Sequence, residues 1–184
     1  SQWKAVMGNN PSHFKGYNLP VEQVSWNDAV AFCEKLNEVA RDTLPDGYHY
    51  TLPTEAQWEY ACRAGTTTRF YYGDDDNQLG NYAWYYDNSS LKTHPVGEKL
   101  PNGWGLYDLH GNVWEWCLDW YGDYQGGSIT DPQGPQSGPD RVNRGGGWRD
   151  GARYCRSVFR YGYRPDRTSS RLGFRVALSS VPSE

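Results

Sequence analysis

The sequence lacks the features of a membrane-inserted or disulfide-rich protein. No stretch of its 184 residues is long and apolar enough to span a bilayer, and the opening residues SQWKAVMGNNPSHFKG do not resemble a signal peptide. The four cysteines (Cys33, Cys62, Cys117 and Cys155) are too few for a disulfide scaffold and too widely spaced for a CxxC metal pattern. We therefore expect no membrane insertion and a cytoplasmic location, or a secreted or cell-surface one if a signal segment was removed.

A large excess of charge of one sign is also missing. The chain has 18 Lys and Arg against 22 Asp and Glu, which gives a formal net charge of -4, and the two signs are interspersed. This balance argues against binding to nucleic acid or to a membrane surface through bulk charge. The basic residues do cluster after Arg141.

Aromatic residues, by contrast, are abundant, with 9 Trp and 15 Tyr. These side chains combine a large apolar ring with a polar atom, so they serve both in a core and at a contact surface. We expect the domain to bury some of these rings and to display others.

The segment VSWNDAVAFCEKLNEVA is predicted to be a helix. Ser25 can cap its first turn, and Asp28 stands at the position that completes a capping box. One apolar stripe follows at helical spacing, and it consists of Ala29, Cys33, Leu36 and Ala40.

A second helix is predicted in LPTEAQWEYACRAG. Thr54 and Gln57 form a capping box, and Gly65 stands where a helix would end. One side of this helix is apolar and consists of Trp58, Ala61 and Cys62. Cys33 and Cys62 are therefore expected in the core.

Beyond residue 65 the sequence favours loops and short strands. Gly, Pro, Asn, Asp and aromatic residues dominate, and short runs such as NVWEWCLDW and GFRVAL are typical of strands. The segment YGDYQGGSITDPQGPQSGPD is expected to be a surface loop, because too little chain follows it to form a second core. We therefore predict one α+β domain over residues 1–184.

Five motifs occur in a characteristic order: LPVEQVSWNDAVAFCEKLNE, LPTEAQWEYACRAG, PNGWGLYDLHGNVWEW, RVNRGGGWRD and LGFRVAL. Together they resemble the formylglycine-generating-enzyme (sulfatase-modifying-factor) family over roughly residues 3 to 178. The resemblance implies a C-type-lectin-like fold with two helices, small antiparallel sheets and much ordered loop. Most members have one more strand upstream, so it also implies part of a longer protein, such as a fusion to a signalling domain.

The resemblance leaves the function open, because this fold carries both oxidases and non-catalytic binding domains. The copper oxidases of the family use two cysteines five residues apart. The second matches Cys155, but the first falls on Asp150, whose hard carboxylate suits Cu(I) poorly, and Gly147 replaces a small hydroxyl residue. One hypothesis is an iron- or copper-dependent oxidoreductase that uses Cys155 with Asp150 or His110. The alternative is that Cys155 is a buried packing residue and His110 a surface or loop histidine beside a turn glycine.

Calcium is the cofactor that the resemblance favours. In many members the segment matching YDLHGNVWEW holds a structural calcium ion, and the corresponding residues are Asp108, Gly111, Val113 and Glu115. Carboxylates and backbone carbonyls are the hard oxygen ligands that calcium prefers. The alternative is that Glu115 only ties the loop through hydrogen bonds.

Relatives from oxidising compartments contain two disulfides that cannot form in this chain. The resemblance places the partners of Cys33 and Cys62 at Val176 and Arg160. This loss supports the expected cytoplasmic location.

The stretch from Trp148 to Arg171 is the candidate ligand-binding surface. Tyr and Arg among small polar residues are typical of adaptable recognition surfaces, and in relatives diversified by retroelements this stretch binds the ligand. The candidate contact residues are Trp148, Arg149, Asp150, Arg153, Tyr154, Phe159, Tyr161, Tyr163, Arg167 and Ser169. The leading hypothesis is a non-catalytic domain that recognises a protein or another ligand, and the alternative is an ordinary solvated, ion-paired surface.

Overall fold

Three α-helices form in the part of the chain that the computed structural model describes, residues 1–124 and 126–180. They are α1 (Gln2–Met7), α2 (Trp26–Ala40) and α3 (Glu55–Arg63). The two predicted helices are confirmed, with a complete capping box at Ser25 and another at Thr54. The third, α1, has only six residues, too few to show a helical period in the sequence.

Six short strands form two sheets within the described residues. The smaller one pairs β1 (Tyr48–Thr51) with β6 (Ala177–Ser180). The larger one contains β2 (Trp114–Trp120), β3 (Arg141–Arg144), β4 (Arg160–Tyr163) and β5 (Leu172–Phe174), in the order β4-β3-β2-β5. The expected antiparallel pairing holds for β1 with β6, β2 with β3 and β3 with β4, whereas β5 runs parallel to β2. The chain between β2 and β5 contains β3 and β4 and is long enough for the crossover that a parallel pair requires.

Both faces of β2 are buried, and this divides the core into two parts. Trp114 and Trp116 point to the side of α1 and α2, where Trp3 stacks on Phe32 at 5.3 Å between ring centroids. Cys117 points to the opposite side, towards α3. The motif NVWEWCLDW is therefore a central strand and does not alternate between core and solvent.

Each of the four cysteines is buried, and none forms a disulfide. Cys33 and Cys62 lie in the core, as predicted. The segment 121–140 carries no helix or strand in its described residues and is largely exposed, which confirms a surface loop. None of the helices in residues 1–124 and 126–180 is long and apolar enough to cross a membrane.

Candidate functional site

Five aromatic rings form a continuous row along β4, the edge strand of the larger sheet. Neighbouring centroids are 5.0 Å apart for Tyr154 and Phe159, 6.0 Å for Phe159 and Trp114, 6.2 Å for Trp114 and Tyr161, and 5.0 Å for Tyr161 and Tyr163. We call these five residues the aromatic row. Trp114 is buried, whereas Tyr161 is 47% exposed. The family resemblance assigns the segment of Trp114 to calcium binding and does not predict that Trp114 belongs to this row.

Asp150, the residue at the position of the missing cysteine, holds the surface together. Its Oδ2 accepts a hydrogen bond from the Trp114 indole at 2.8 Å, and its Oδ1 accepts one from Arg171 at 3.2 Å. The Asp150 side chain is only 13% exposed. A carboxylate bound by a guanidinium and an indole acts as a crosslink between β2 and the segment before β5.

Trp148 lies beneath the surface and not on it. Its side chain packs edge-on against Phe14, its indole donates to the Ser170 carbonyl at 2.9 Å, and the residue is 6% exposed. Trp148 therefore supports the surface, which corrects the expectation that it contacts a ligand. Ser169 has a similar role, because its carbonyl accepts from the Gln23 backbone at 2.9 Å.

All three candidate arginines are on the outside of the molecule. Arg149, Arg153 and Arg167 are exposed, and the Arg153 guanidinium lies 4.4 Å from the centre of the Tyr154 ring and donates to its hydroxyl. The Arg167 guanidinium lies 5.9 Å from the centre of the Tyr163 ring, so Arg153 and Arg167 both contact the aromatic row.

A buried charge network anchors β4 from behind, and the sequence analysis did not anticipate it. Arg160 donates to Glu55 of α3 at 2.6 Å, and the fully buried Arg144 donates to the same carboxylate at 3.1 Å. The Arg160 guanidinium also lies over the rings of Tyr121 and Tyr124, at 4.5 and 4.2 Å. Charged groups are rarely buried without a partner. Arg144, the first residue of RGGGW, could therefore have suggested an ion pair between this motif and a carboxylate of α3.

Cys155 does not form a thiol site with Asp150. Cys155 is fully buried with Phe70 and Leu79, and burial raises the pKa of its thiol. Its Sγ packs against Gly146, where an added Cβ would lie 2.8 Å from the sulfur. A protonated, enclosed thiol beside an ion-paired carboxylate does not fit a copper ion, which needs accessible thiolates.

His110 is a core residue. Its Nε2 accepts a hydrogen bond from the Tyr71 backbone at 3.1 Å, and its ring stacks on that of Tyr71 at 4.3 Å. Burial lowers its pKa to about 3, so the ring is neutral near pH 7. The expectation of a surface or loop histidine is corrected in one respect: the residue is in a loop, but it is completely buried.

Three of the four candidate calcium ligands, Asp108, Gly111 and Val113, lie in the turn that leads into β2, and Glu115 is the second residue of that strand. Gly111 has a φ of +95°, and a Cβ at this position would lie 2.3 Å from the Trp84 carbonyl oxygen. The turn therefore requires glycine. Asp108 accepts from the Gly97 backbone at 2.8 Å through one carboxylate oxygen, while the other is buried without a hydrogen-bond partner. Burial raises the pKa of Asp108.

Glu115 does not fit a calcium ion in this arrangement. Its carboxylate accepts two hydrogen bonds from Arg175, at 2.5 and 2.6 Å, and one from the Trp58 indole at 2.6 Å. Arg175 also donates to the Tyr107 carbonyl at 3.0 Å. Calcium would have to displace Arg175, which already supplies the positive charge that ties this turn to the strands. Val113, the remaining candidate, is buried beside Glu115.

Together, the mixed sheet, the paired helices and the ordered loops define a C-type-lectin-like α+β domain with an aromatic surface along one sheet edge. The chain belongs to the family of sulfatase-modifying factor enzyme 1-like domains, whose model matches residues 1–180. It is 36% identical to a formylglycine-generating enzyme of Mus musculus, over 100% of this chain and 50% of that protein. It is 38% identical to one of Streptomyces coelicolor, over 96% and 58%. The chain thus spans about half the length of these curated relatives.

A solved structure resembles the whole domain closely. Treponema denticola variable protein 1 superposes with a TM-score of 0.89 and 38% identity, over 97% of this chain and 80% of that one. The two chains therefore share the fold over almost all of this chain.

Proposed function

We propose that this domain is a non-catalytic recognition domain that binds a protein or another ligand through the surface between Trp148 and Arg171. The aromatic row carries this proposal. Tyrosine and phenylalanine supply large contact areas with few rotatable bonds, and neighbouring arginines add directional hydrogen bonds. At this sheet edge Tyr161 is 47% exposed and Arg153 and Arg167 are exposed, an arrangement that is suited to binding.

The supports behind the row favour the same function. The Asp150–Trp114 hydrogen bond fixes the surface to β2, and the Arg160–Glu55 ion pair fixes it to α3, before any ligand arrives. Fewer side chains then have to be ordered on binding, and a preorganised surface binds more tightly for the same contacts.

The oxidoreductase alternative has the support of the relatives named formylglycine-generating enzyme. The residues that would hold copper or iron here do not support it, because Asp150 is ion-paired and Cys155 and His110 are enclosed in the core. The similarity to a variable protein favours recognition, and we propose that this chain is a variable protein of that kind. A structural calcium ion stays a prediction of the family resemblance.

Photocrosslinking tests the proposal. A benzophenone amino acid is placed at Tyr161 or at Tyr48, which is 46% exposed against 47% for Tyr161 but lies in the other sheet. Each protein is irradiated in an extract of its source cells. We expect a defined crosslinked product from position 161 only. Equal products from both positions, or none from 161, would contradict the proposal.

A further inference from the structure

The surface between Trp148 and Arg171 differs in charge from the rest of the chain. It contains seven arginines and two aspartates, without lysine or glutamate, whereas the remaining residues contain eleven basic and twenty acidic side chains. A chain with a formal net charge of -4 therefore has a net positive charge in this segment.

Three of the seven arginines are neutralised by carboxylates. Arg171 pairs with Asp150 at 3.2 Å, Arg164 with Asp166 at 3.2 Å, and Arg160 with Glu55 at 2.6 Å. These pairs use both aspartates of the surface.

The other four arginines, Arg149, Arg153, Arg156 and Arg167, form no ion pair with any carboxylate of residues 1–124 and 126–180. Three of them lie over rings of the aromatic row: Arg153 over Tyr154 at 4.4 Å, Arg167 over Tyr163 at 5.9 Å and Arg156 over Phe159 at 6.0 Å. A ring holds a guanidinium in place without neutralising it. Arg153 uses one N–H group on the Tyr154 hydroxyl, and Arg156 uses its Nε–H on the Arg153 carbonyl, so the other N–H groups of these arginines are available to a ligand.

We infer that the partner of this surface is a protein that presents a compact patch of Asp and Glu side chains. This inference rests on the proposed function. Guanidinium groups bind carboxylates with two parallel hydrogen bonds, and positive charges at the edge of an interface speed association with an acidic partner.

A nucleic acid fits this surface less well than an acidic protein. Duplex DNA carries one negative charge about every 1.7 Å along its axis, so a bound duplex would continue past the arginines. It would then meet the acidic remainder of the chain and be repelled. A compact acidic patch would contact the arginines alone.

The test measures fluorescence anisotropy of a labelled oligoglutamate peptide, with an oligoglutamine peptide of equal length and a short duplex DNA as comparisons. The face variant carries Arg149→Glu, Arg153→Glu and Arg167→Glu. The matched control carries Lys4→Glu, Lys35→Glu and Lys92→Glu, all exposed and outside the surface. Both variants change the net charge equally.

We expect wild type and control to bind oligoglutamate, the face variant to bind at least about tenfold more weakly, and oligoglutamine not to bind. Binding should weaken with added salt, because at 0.1 M the attraction between exposed charges is screened over a distance of about 10 Å. No binding of oligoglutamate, equal loss in both variants, or tighter binding of DNA would overturn the inference. If crosslinking at Tyr161 succeeds while charge reversal does not change binding, the recognition proposal stands and only the inference of an acidic partner is wrong.

Discussion

Replacing Glu115 with alanine should strongly destabilise the fold. The Glu115 side chain is 7% exposed and receives three hydrogen bonds, two from Arg175 and one from the Trp58 indole. Removing one partner of a buried ion pair typically costs about 3–5 kcal/mol. Because Arg175 is 27% exposed and can be partly rehydrated, we expect a loss of about 2–4 kcal/mol.

Urea denaturation measures this loss directly, since the midpoint should fall while the slope stays constant. In a thermal melt each kcal/mol corresponds to about 2–4 °C for a chain of this length. Glu115→Gln, which keeps an acceptor for Trp58, should lose less than Glu115→Ala. Asp166→Ala removes an exposed ion pair, with side chains 75% and 65% exposed, and should have little effect. A Glu115→Ala loss below about 1 kcal/mol would refute the reasoning.

The same variants test for calcium. A calcium-dependent rise in Tm that disappears in Glu115→Ala would confirm the calcium prediction. An identical Tm in calcium and in chelator would leave Arg175 as the cation of this turn.

Three further predictions concern the core and the surface. Folding lowers the pKa of His110 from 6.5 to about 3, so between these pH values the unfolded chain binds one more proton than the folded chain. The contribution of His110 to the free energy of unfolding should therefore fall by about 1.4 kcal/mol for each pH unit as the pH drops from 6.5 towards 3. Urea titrations of the wild type and of His110→Gln measure this contribution as the difference between the two proteins. Gly146→Ala, at φ +74° and against the Cys155 sulfur, should lower stability by at least about 2 kcal/mol, whereas the open Gly126 should tolerate alanine. In thiol titration with Ellman's reagent, all four cysteines should react only after unfolding, and rapid reaction of Cys155 in the native state would contradict its burial.

The local parts of this fold were predictable, because capping boxes at Ser25 and Thr54 and the apolar stripes involve residues only three or four positions apart. The parallel position of β5 beside β2 was not, because it depends on a pairing across β3 and β4. The sequence also could not show that Arg175 binds Glu115, sixty positions away.

The sequence predicts which segment forms the candidate surface, but not which of its side chains are exposed and which are buried. Trp148 and Tyr161 belong to the same aromatic-rich stretch, yet one is 6% exposed and the other 47%. Which ring faces outward depends on contacts with distant elements, such as Phe14 for Trp148. The row also contains Trp114, which no analysis of residues 148–171 alone could include.

The most direct test of the central claim is the dissociation constant for the partner crosslinked at Tyr161, measured for wild type, Cys155→Ser and Tyr161→Ala. A recognition surface built on the aromatic row predicts an unchanged Kd for Cys155→Ser and a Kd at least about tenfold higher for Tyr161→Ala. Loss of binding in a folded Cys155→Ser protein, with an unchanged Kd for Tyr161→Ala, would contradict this account. It would show that the buried thiol of Cys155 takes part in the function.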